Sequence, residues 1–263
     1  LEQSDLQDWA ELKLVAFLNG NDLGAVEPLA SWLEGRGWRV LVQTDRVVGI
    51  GESRNIVMRQ ATEASDGGEA YVPDYVMELH SDMVFPGFWA EPILDELRDD
   101  QGLAILGTAV LSGRQAWAGH PVLDGVCLGE GNTAQSLFKV GPAAKAAKSA
   151  YASLRPRIRR GLSCPCIKRW SALCDSRVGG PYYPAEFGFQ EWEDTDEARR
   201  LENAGYRFGI CLDSWVYHHY VFSRMDTADE RRDASRKAFF AKYPDGEAWV
   251  EEFLKDMNRV HVP

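Results

Sequence analysis

Val76-Met77-Glu78-Leu79-His80-Ser81-Asp82-Met83-Val84-Phe85 is an apolar run that reaches a carboxylate and is followed by Pro86 and Gly87. Such a run predicts a buried strand that delivers Asp82 to the carboxyl edge of a sheet, the edge where ligands sit in open α/β sheets. One carboxylate at a strand end can also simply cap the next loop. The position gains weight from two later features in an order that fits one site: the acidic cluster Trp192-Glu193-Asp194-Thr195-Asp196 and the paired His218-His219.

Upstream of this run, Leu12 to Leu18 is short and apolar and ends in the turn formers Asn19-Gly20-Asn21-Asp22, which predicts a first strand. Ala25 to Glu34 carries Val26, Leu29, Ala30 and Leu33 at helical spacing, and Gly35 and Gly37 stop it. Trp38 to Val42 predicts a second strand, ending at Gln43-Thr44-Asp45, so the opening is a βαβ unit with a parallel pair. Ser53 is placed to cap a helix with Ile56, Val57, Gln60, Ala61 and Ala64 on its inner face. Arg54 and Asn55 then fall in its first turn, where a cation opposes the helix dipole and needs an external anion.

Downstream, Phe88 to Arg98 reads as a helix and Leu103 to Leu111 as a strand, and the alternation marks the α/β class. Ile167 to Leu173 reads as a return to the sheet, Glu193 to Ala204 as a helix stopped by Gly205, and Phe208–Leu212 and Ser214–Tyr217 as late strands. Ala228 to Met257 reads as amphipathic helix broken at Pro244 and Gly246. Between Gly131 and Cys174 there is no acidic residue, while Lys139, Lys145, Lys148, Arg155, Arg157, Arg159, Arg160, Lys168 and Arg169 are all basic. That stretch is either a solvated face or a patch for a phosphate-bearing acceptor or an anionic membrane surface.

The chain's 263 residues suffice for one large domain, and 45% hydrophobic residues support a sizeable core. Its formal net charge of −11 opposes general affinity for nucleic acid. Five cysteines do not make a disulfide framework in a chain of this size, and Cys164-Pro165-Cys166 with Cys174 lacks the second close pair of a structural zinc site. With no apolar run of membrane-spanning length and a polar, acidic start, the expectation is a soluble cytoplasmic protein, with peripheral contact to the inner face of a membrane through 139–169.

For chemistry, Asp194 has a structural reading as an N-cap with Glu197 three residues on, and Asp196 and Arg200 are spaced to pair across a turn. Neither accounts for Glu191, Glu193, Asp194 and Asp196 gathered beside Phe189 and Trp192, since like charges held together need a cation or a ligand hydroxyl. Imidazole from His218 or His219 and a carboxylate from Asp82 suit a divalent cation such as Mn²⁺ with open positions left for a diphosphate.

Taken together, Ser53-Arg54-Asn55 opening a helix, the strand ending in His80-Ser81-Asp82, the run Trp192 to Leu201 with Ala204-Gly205-Tyr206, and Val216-Tyr217-His218 resemble the family 2 inverting glycosyltransferases. The resemblance covers roughly 12–222. It implies a GT-A fold, with a Rossmann-like nucleotide-binding, mixed but mainly parallel central sheet flanked by helices. It also implies Mn²⁺ or Mg²⁺ bound by Asp82 and by His218 or His219, and Asp194 as general base. Trp192, Glu193 and Asp196 would border the acceptor, while Asn19, Asp45, Arg54, Asn55, His80 and Ser81 would fall on the donor side.

The donor implied is a nucleotide-sugar, a UDP-sugar by default and a GDP-sugar as the alternative, and the acceptor is a glycan, lipid-linked or small-molecule hydroxyl. One domain over 1–263 would divide into a nucleotide-sugar half (1–111), a basic insertion (112–170), an acceptor and catalytic half (171–222) and C-terminal helices (223–263). The sequence departs from the family where His80 replaces the first acid of the DxD motif, and where only Thr44-Asp45 remains of the acidic signature after the second strand. A nucleotidyltransferase is the competing enzyme class, but Asn19-Gly20-Asn21-Asp22 does not resemble its phosphate loop. A non-catalytic sugar- or nucleotide-binding module is the other alternative, which His80 favours and the retained Asp194 and His218 oppose.

Overall fold

The structure, a computed structural model, describes residues 14–19, 23–43, 48–62, 71–79, 83–85, 89–112, 158–163, 165–187, 192–218 and 228–258. The expected βαβ opening is present. β1 (Val15–Asn19) and β2 (Arg39–Gln43) pair in parallel in register from Val15↔Arg39 to Asn19↔Gln43, with α1 (Leu23–Glu34) between them. α2 (Ile50–Thr62) packs against β1. It begins three residues before Ser53, whose hydroxyl donates back to the Ile50 carbonyl at 2.8 Å. Ser53 is therefore not the cap, and Arg54 sits beyond the first turn.

The run that opens at Val76 is not one strand. β3 (Tyr75–Glu78) and β4 (Met83–Val84) are separate, because β3 pairs with β7 (Cys166–Arg169) and β4 pairs with the end of β8 (Arg207–His218). The six-stranded sheet has the order β3-β7-β5-β8-β4, where β5 is Leu103–Ser112, and β6 (Ile158–Arg159) pairs with β8 off that path. The expected mixed α/β class holds. Among the described pairings only β1 with β2 and β5 with β8 are parallel. Alternating elements in a sequence reveal neither the edge nor the direction from which β6 and β7 re-enter. Both strands lie inside the stretch 112–170 that reads as an insertion, and β7 sits between β3 and β5.

Helices α3 (Glu91–Asp99), α4 (Trp170–Leu173), α5 (Glu193–Asn203), α6 (Ala228–Lys242) and α7 (Gly246–Asn258) complete the fold. The break between α6 and α7 falls at Pro244 as the sequence predicts. Gly205 also ends α5 as expected, at φ 87°, a conformation that a side chain would strain. The two late strands of the sequence reading are one strand, β8, whose pairing with β5 jumps from Thr108↔Cys211 to Ala109↔Trp215. The extra residues of that bulge include buried Asp213 and Ser214.

Side chains alternate across a strand, so neighbouring residues of β7 serve different cores. Ile167 joins Trp89, Ile93, Leu97 and Leu106 beneath α3, while Cys166 joins Phe187, Leu201, Phe239 and Trp249 beneath α5, α6 and α7. Arg169, read from sequence as part of the basic patch, is 7% exposed and donates to the carbonyls of Leu103, Leu97 and Asp100. It thereby supplies donors to the C-terminal end of α3, where helix carbonyls lack partners.

At Gly107 of β5 a Cβ would collide with Ser163 Oγ and lie 2.7 Å from Ser163 O. Ser163 Oγ meanwhile donates to the Thr108 carbonyl at 2.7 Å. Gly107→Ala is expected to cost about 2 kcal/mol through overpacking and loss of that bond. A urea denaturation midpoint equal to that of the native chain would show instead that the Ser163 segment can move aside.

Candidate active site

The sequence-predicted acidic cluster lies on the first turn of α5. Trp192 precedes the helix in the left-handed region, φ 69°, where bulky residues are rare, and its carbonyl accepts the Asp196 amide at 2.8 Å. Its ring packs on Phe239 and Phe240 of α6, with centroids 5.2 and 5.4 Å away. Asp194 is the second residue of the helix rather than its cap. Its side chain is half-buried, and Oδ1 accepts the Thr195 amide at 2.8 Å, which orients the carboxylate.

The neighbouring acids point elsewhere. Asp196 is fully buried: one oxygen takes Arg200 Nε at 2.9 Å, the expected pairing across one turn, and the other takes Lys242 Nζ at 2.7 Å and the Tyr243 hydroxyl at 2.8 Å. These bonds tie α6 to α5 and leave the carboxylate no face for an acceptor. Burial, then the proximity of Asp196, push the Tyr243 hydroxyl above the usual tyrosine range, so it remains a donor. Glu193, 4% exposed, also faces inward, toward Arg54 Nη1 at 2.9 Å.

Arg54 thus finds in Glu78 the anion that its place on α2 demanded. Its Nε lies 3.2 Å from Glu78 while Nη1 holds Glu193, joining α2 to both β3 and α5. Asn55 pairs in both directions with the backbone of Tyr183, donating to its carbonyl and accepting its amide, each at 2.8 Å. Both residues, expected on the donor side, are engaged as braces between α2 and the elements carrying the acidic cluster.

Beneath α5 lies a group that sequence reading did not identify. Lys168, 2% exposed, places Nζ 2.8 Å from Glu78 and 2.5 Å from Glu197, and also donates to the Tyr183 hydroxyl. Tyr183 Oη is 3.1 Å from both carboxylates. Burial alone would strip the Lys168 proton, but Glu197 and Glu78 hold its pKa well above the usual lysine range. Burial would likewise raise Glu78, yet Arg54 and Lys168 bring it down to about 2. The available signals were a glutamate and a lysine inside otherwise apolar strand segments. Glu197, read as half of a capping box, is instead a partner of this lysine.

Of the other expected site residues, Asp45, His80, Ser81, Asp82 and His219 lie outside the described residues, and Asn19 and His218 are described by backbone alone. Most of the basic stretch 139–169 is likewise outside them. The register nevertheless constrains two of these positions: Met83, next after Asp82, is the partner of His218, which also ends the parallel pairing of β8 with Ser112 of β5. Among the described residues no group of three or more His, Cys, Asp or Glu could hold a metal.

No protein-family model matches the chain, nor does a curated protein. Solved structures do. GalNAc-T7, solved with UDP, GalNAc and Mn²⁺, aligns with a TM-score of 0.54 at 11% identity, over 94% of this chain and 48% of that one. The present chain therefore spans about half the length of that structure. A mycobacterial protein aligns with a TM-score of 0.46 at 13% identity, covering 89% of this chain and 65% of its own. Glucosyl-3-phosphoglycerate synthase from Mycobacterium tuberculosis, solved with Mn²⁺, UDP-glucose and phosphoglyceric acid, aligns at 0.40 and 17% identity over 85% of this chain and 64% of its own. The likeness to GalNAc-T7 shows the fold, the Rossmann-like GT-A fold of glycosyltransferases.

Lys168→Met would leave two buried carboxylates without their shared cation and is expected to destabilise the chain by about 3–5 kcal/mol. Urea denaturation should show that deficit shrinking as pH falls through the carboxylate range, since protonation removes the uncompensated charge. Adding Glu78→Gln and Glu197→Gln should recover part of it. A deficit that is independent of pH would mean that packing, not charge, is what Lys168 supplies.

Proposed function

We propose that the chain is a metal-dependent inverting glycosyltransferase, moving a sugar from a nucleotide-diphosphate sugar to a hydroxyl of a saccharide, lipid-linked or small-molecule acceptor. The observation that carries this reading is the start of α5 in a chain of GT-A fold. Glu193 and Asp196 are buried and paired, while Asp194 between them stays half-exposed with its carboxylate oriented by the Thr195 amide. In this reading Asp194 is the general base.

Inversion at an anomeric carbon requires attack from the face opposite the leaving group. In this reading Asp194 takes the proton of the acceptor hydroxyl as its oxygen bonds to the anomeric carbon, and the nucleoside diphosphate departs with the electron pair of the broken bond. Trp192 offers a wall for the acceptor beside Asp194. Glu193 and Asp196, expected from sequence to touch the acceptor, instead hold α5 in place from behind, as Arg54 and Asn55 do from α2. Asn19, Asp45, His80 and Ser81 remain the candidates for contact with base, ribose and phosphate.

The pairing of Met83 with His218 supports a shared metal site, because it brings the chain next to Asp82 up to the strand end that bears the paired histidines. One carboxylate with one or two imidazoles fits Mn²⁺ and, less well, Mg²⁺. Asp82 with His218 or His219 would hold the ion, which when bound would supply charge stabilisation to a departing diphosphate. UDP is the default nucleotide here, with GDP the alternative. The basic run from Lys139 to Arg160 is the candidate contact for an anionic acceptor or for the inner face of a membrane, in a cytoplasmic protein. Lys168 and Arg169 are excluded from that surface by their burial.

Calorimetry with a panel of nucleoside diphosphates, with and without Mn²⁺, tests the donor half. One nucleotide should bind in a manner that requires both the metal and the native residue in an Asp82→Ala comparison. Asp194→Asn should then leave that binding nearly intact while turnover falls by about 100-fold or more. Absence of nucleotide binding under all conditions would favour the non-catalytic alternative, and unchanged turnover in Asp194→Asn would remove Asp194 from the mechanism.

A further inference from the structure

The buried cluster behind α5 serves its carboxyls unequally. Among the described residues, Glu78 of β3 and Glu193 and Glu197 of α5 face Arg54 of α2 and Lys168 of β7, Arg200 of α5 also acts on Glu197, and the Tyr183 hydroxyl and the Cys166 thiol are the neighbouring neutral groups. The half-exposed carboxylate of Asp194 adjoins Glu193 along the helix. A buried carboxylate whose oxygens are not all met by donors avoids the cost of its charge by taking up a proton.

The partners indicate where the proton resides. Glu78 meets Arg54, Lys168 and Tyr183, and Glu197 meets Lys168 and Tyr183. Glu193 meets Arg54 alone among these cations, and Arg54 is shared with Glu78. Glu193 Oε2 is buried with no hydrogen-bond partner, and so is Oε1 of Glu197 one turn along the same helix face. A carboxylate oxygen buried without a donor is costly, whereas a protonated carboxyl can donate to a neighbouring oxygen or to a buried water.

We propose that Glu193 keeps its proton up to the neutral pH range, a positioning residue whose burial and missing donor set it apart from its half-exposed neighbour Asp194. This rests on the reading of Asp194 as the base and adds to it the means by which two adjacent carboxyls are kept in different states. Environments that set two neighbouring carboxyls apart are a general way to divide acid and base roles. The electrostatics agree: burial, then Asp194, raise Glu193 to about 7, against the pull of Arg54.

The sign of the linkage follows. Between the ordinary glutamate value of 4.5 and about 7, the folded chain binds the Glu193 proton more tightly than the unfolded chain does. The Glu193 contribution to stability therefore falls as pH rises through that window. Glu193→Gln, the amide isostere of the neutral acid, should remove this fall.

The test is a carbon NMR titration of the whole chain labelled at glutamate side-chain carboxyls, from about pH 5 to about pH 9, a range that brackets the transition. One resonance should titrate with a midpoint shifted up to about 7, be absent in Glu193→Gln and persist in Glu197→Gln. Three results overturn the proposal: no glutamate titrating near neutrality, a resonance that survives Glu193→Gln and vanishes in Glu197→Gln, or a Glu193→Gln chain that fails to fold. The titration of the native chain needs no variant. None of these readings uses a nucleotide or an acceptor, so failure of the glycosyltransferase reading in calorimetry is distinguishable from failure here.

Discussion

A single buried ammonium holds together the strands and helices around the start of α5. Lys168 lies on β7 between β3 and β5, and its Nζ reaches Glu78 on β3 and Glu197 on α5. The same Glu78 receives Arg54 from α2, and Arg54 passes on to Glu193 at the head of α5. Two strands and two helices, widely separated in sequence, are thereby connected through five side chains. Such a group is costly to desolvate and costly to break, so its value lies in fixing one arrangement rather than in net stability.

That arrangement sets what the first turn of α5 can present. Glu193 is drawn inward by Arg54, and Asp196 is drawn to Lys242 and Tyr243 of the C-terminal helices. Trp192, in a backbone conformation that costs energy for a bulky residue, is held by the rings of Phe239 and Phe240. Asp194 is what remains toward the accessible side. The C-terminal helices, although distant in sequence from the acidic cluster, act as its clamp.

Much of this was legible in the residues. The βαβ opening, the α/β class, the helix at Glu193 with its Gly205 stop, and the pairing of Asp196 with Arg200 all follow from local periodicity and spacing, which depend on neighbours within a turn or two. The demand of Arg54 for an anion was also readable. Which anion it found was not, because Glu78 and Glu193 lie 24 and 139 positions away. The apolar run at Val76 predicted one strand where there are two, since pairing partners rather than hydrophobicity decide where a strand is interrupted.

The sequence by itself therefore determined the class of fold, the placing of the acidic cluster on a helix start, and the departure of His80 from the usual acidic motif. These are properties of composition and near-neighbour pattern. Only the tertiary structure decided which acids of the cluster face inward, that Lys168 and Arg169 belong to the interior rather than to a basic surface, and that β6 and β7 enter the sheet antiparallel. The physical reason is that a charged side chain is stable in the interior only where partners from other elements converge on it. That convergence is set by strand order and register, which the linear pattern of one chain does not encode.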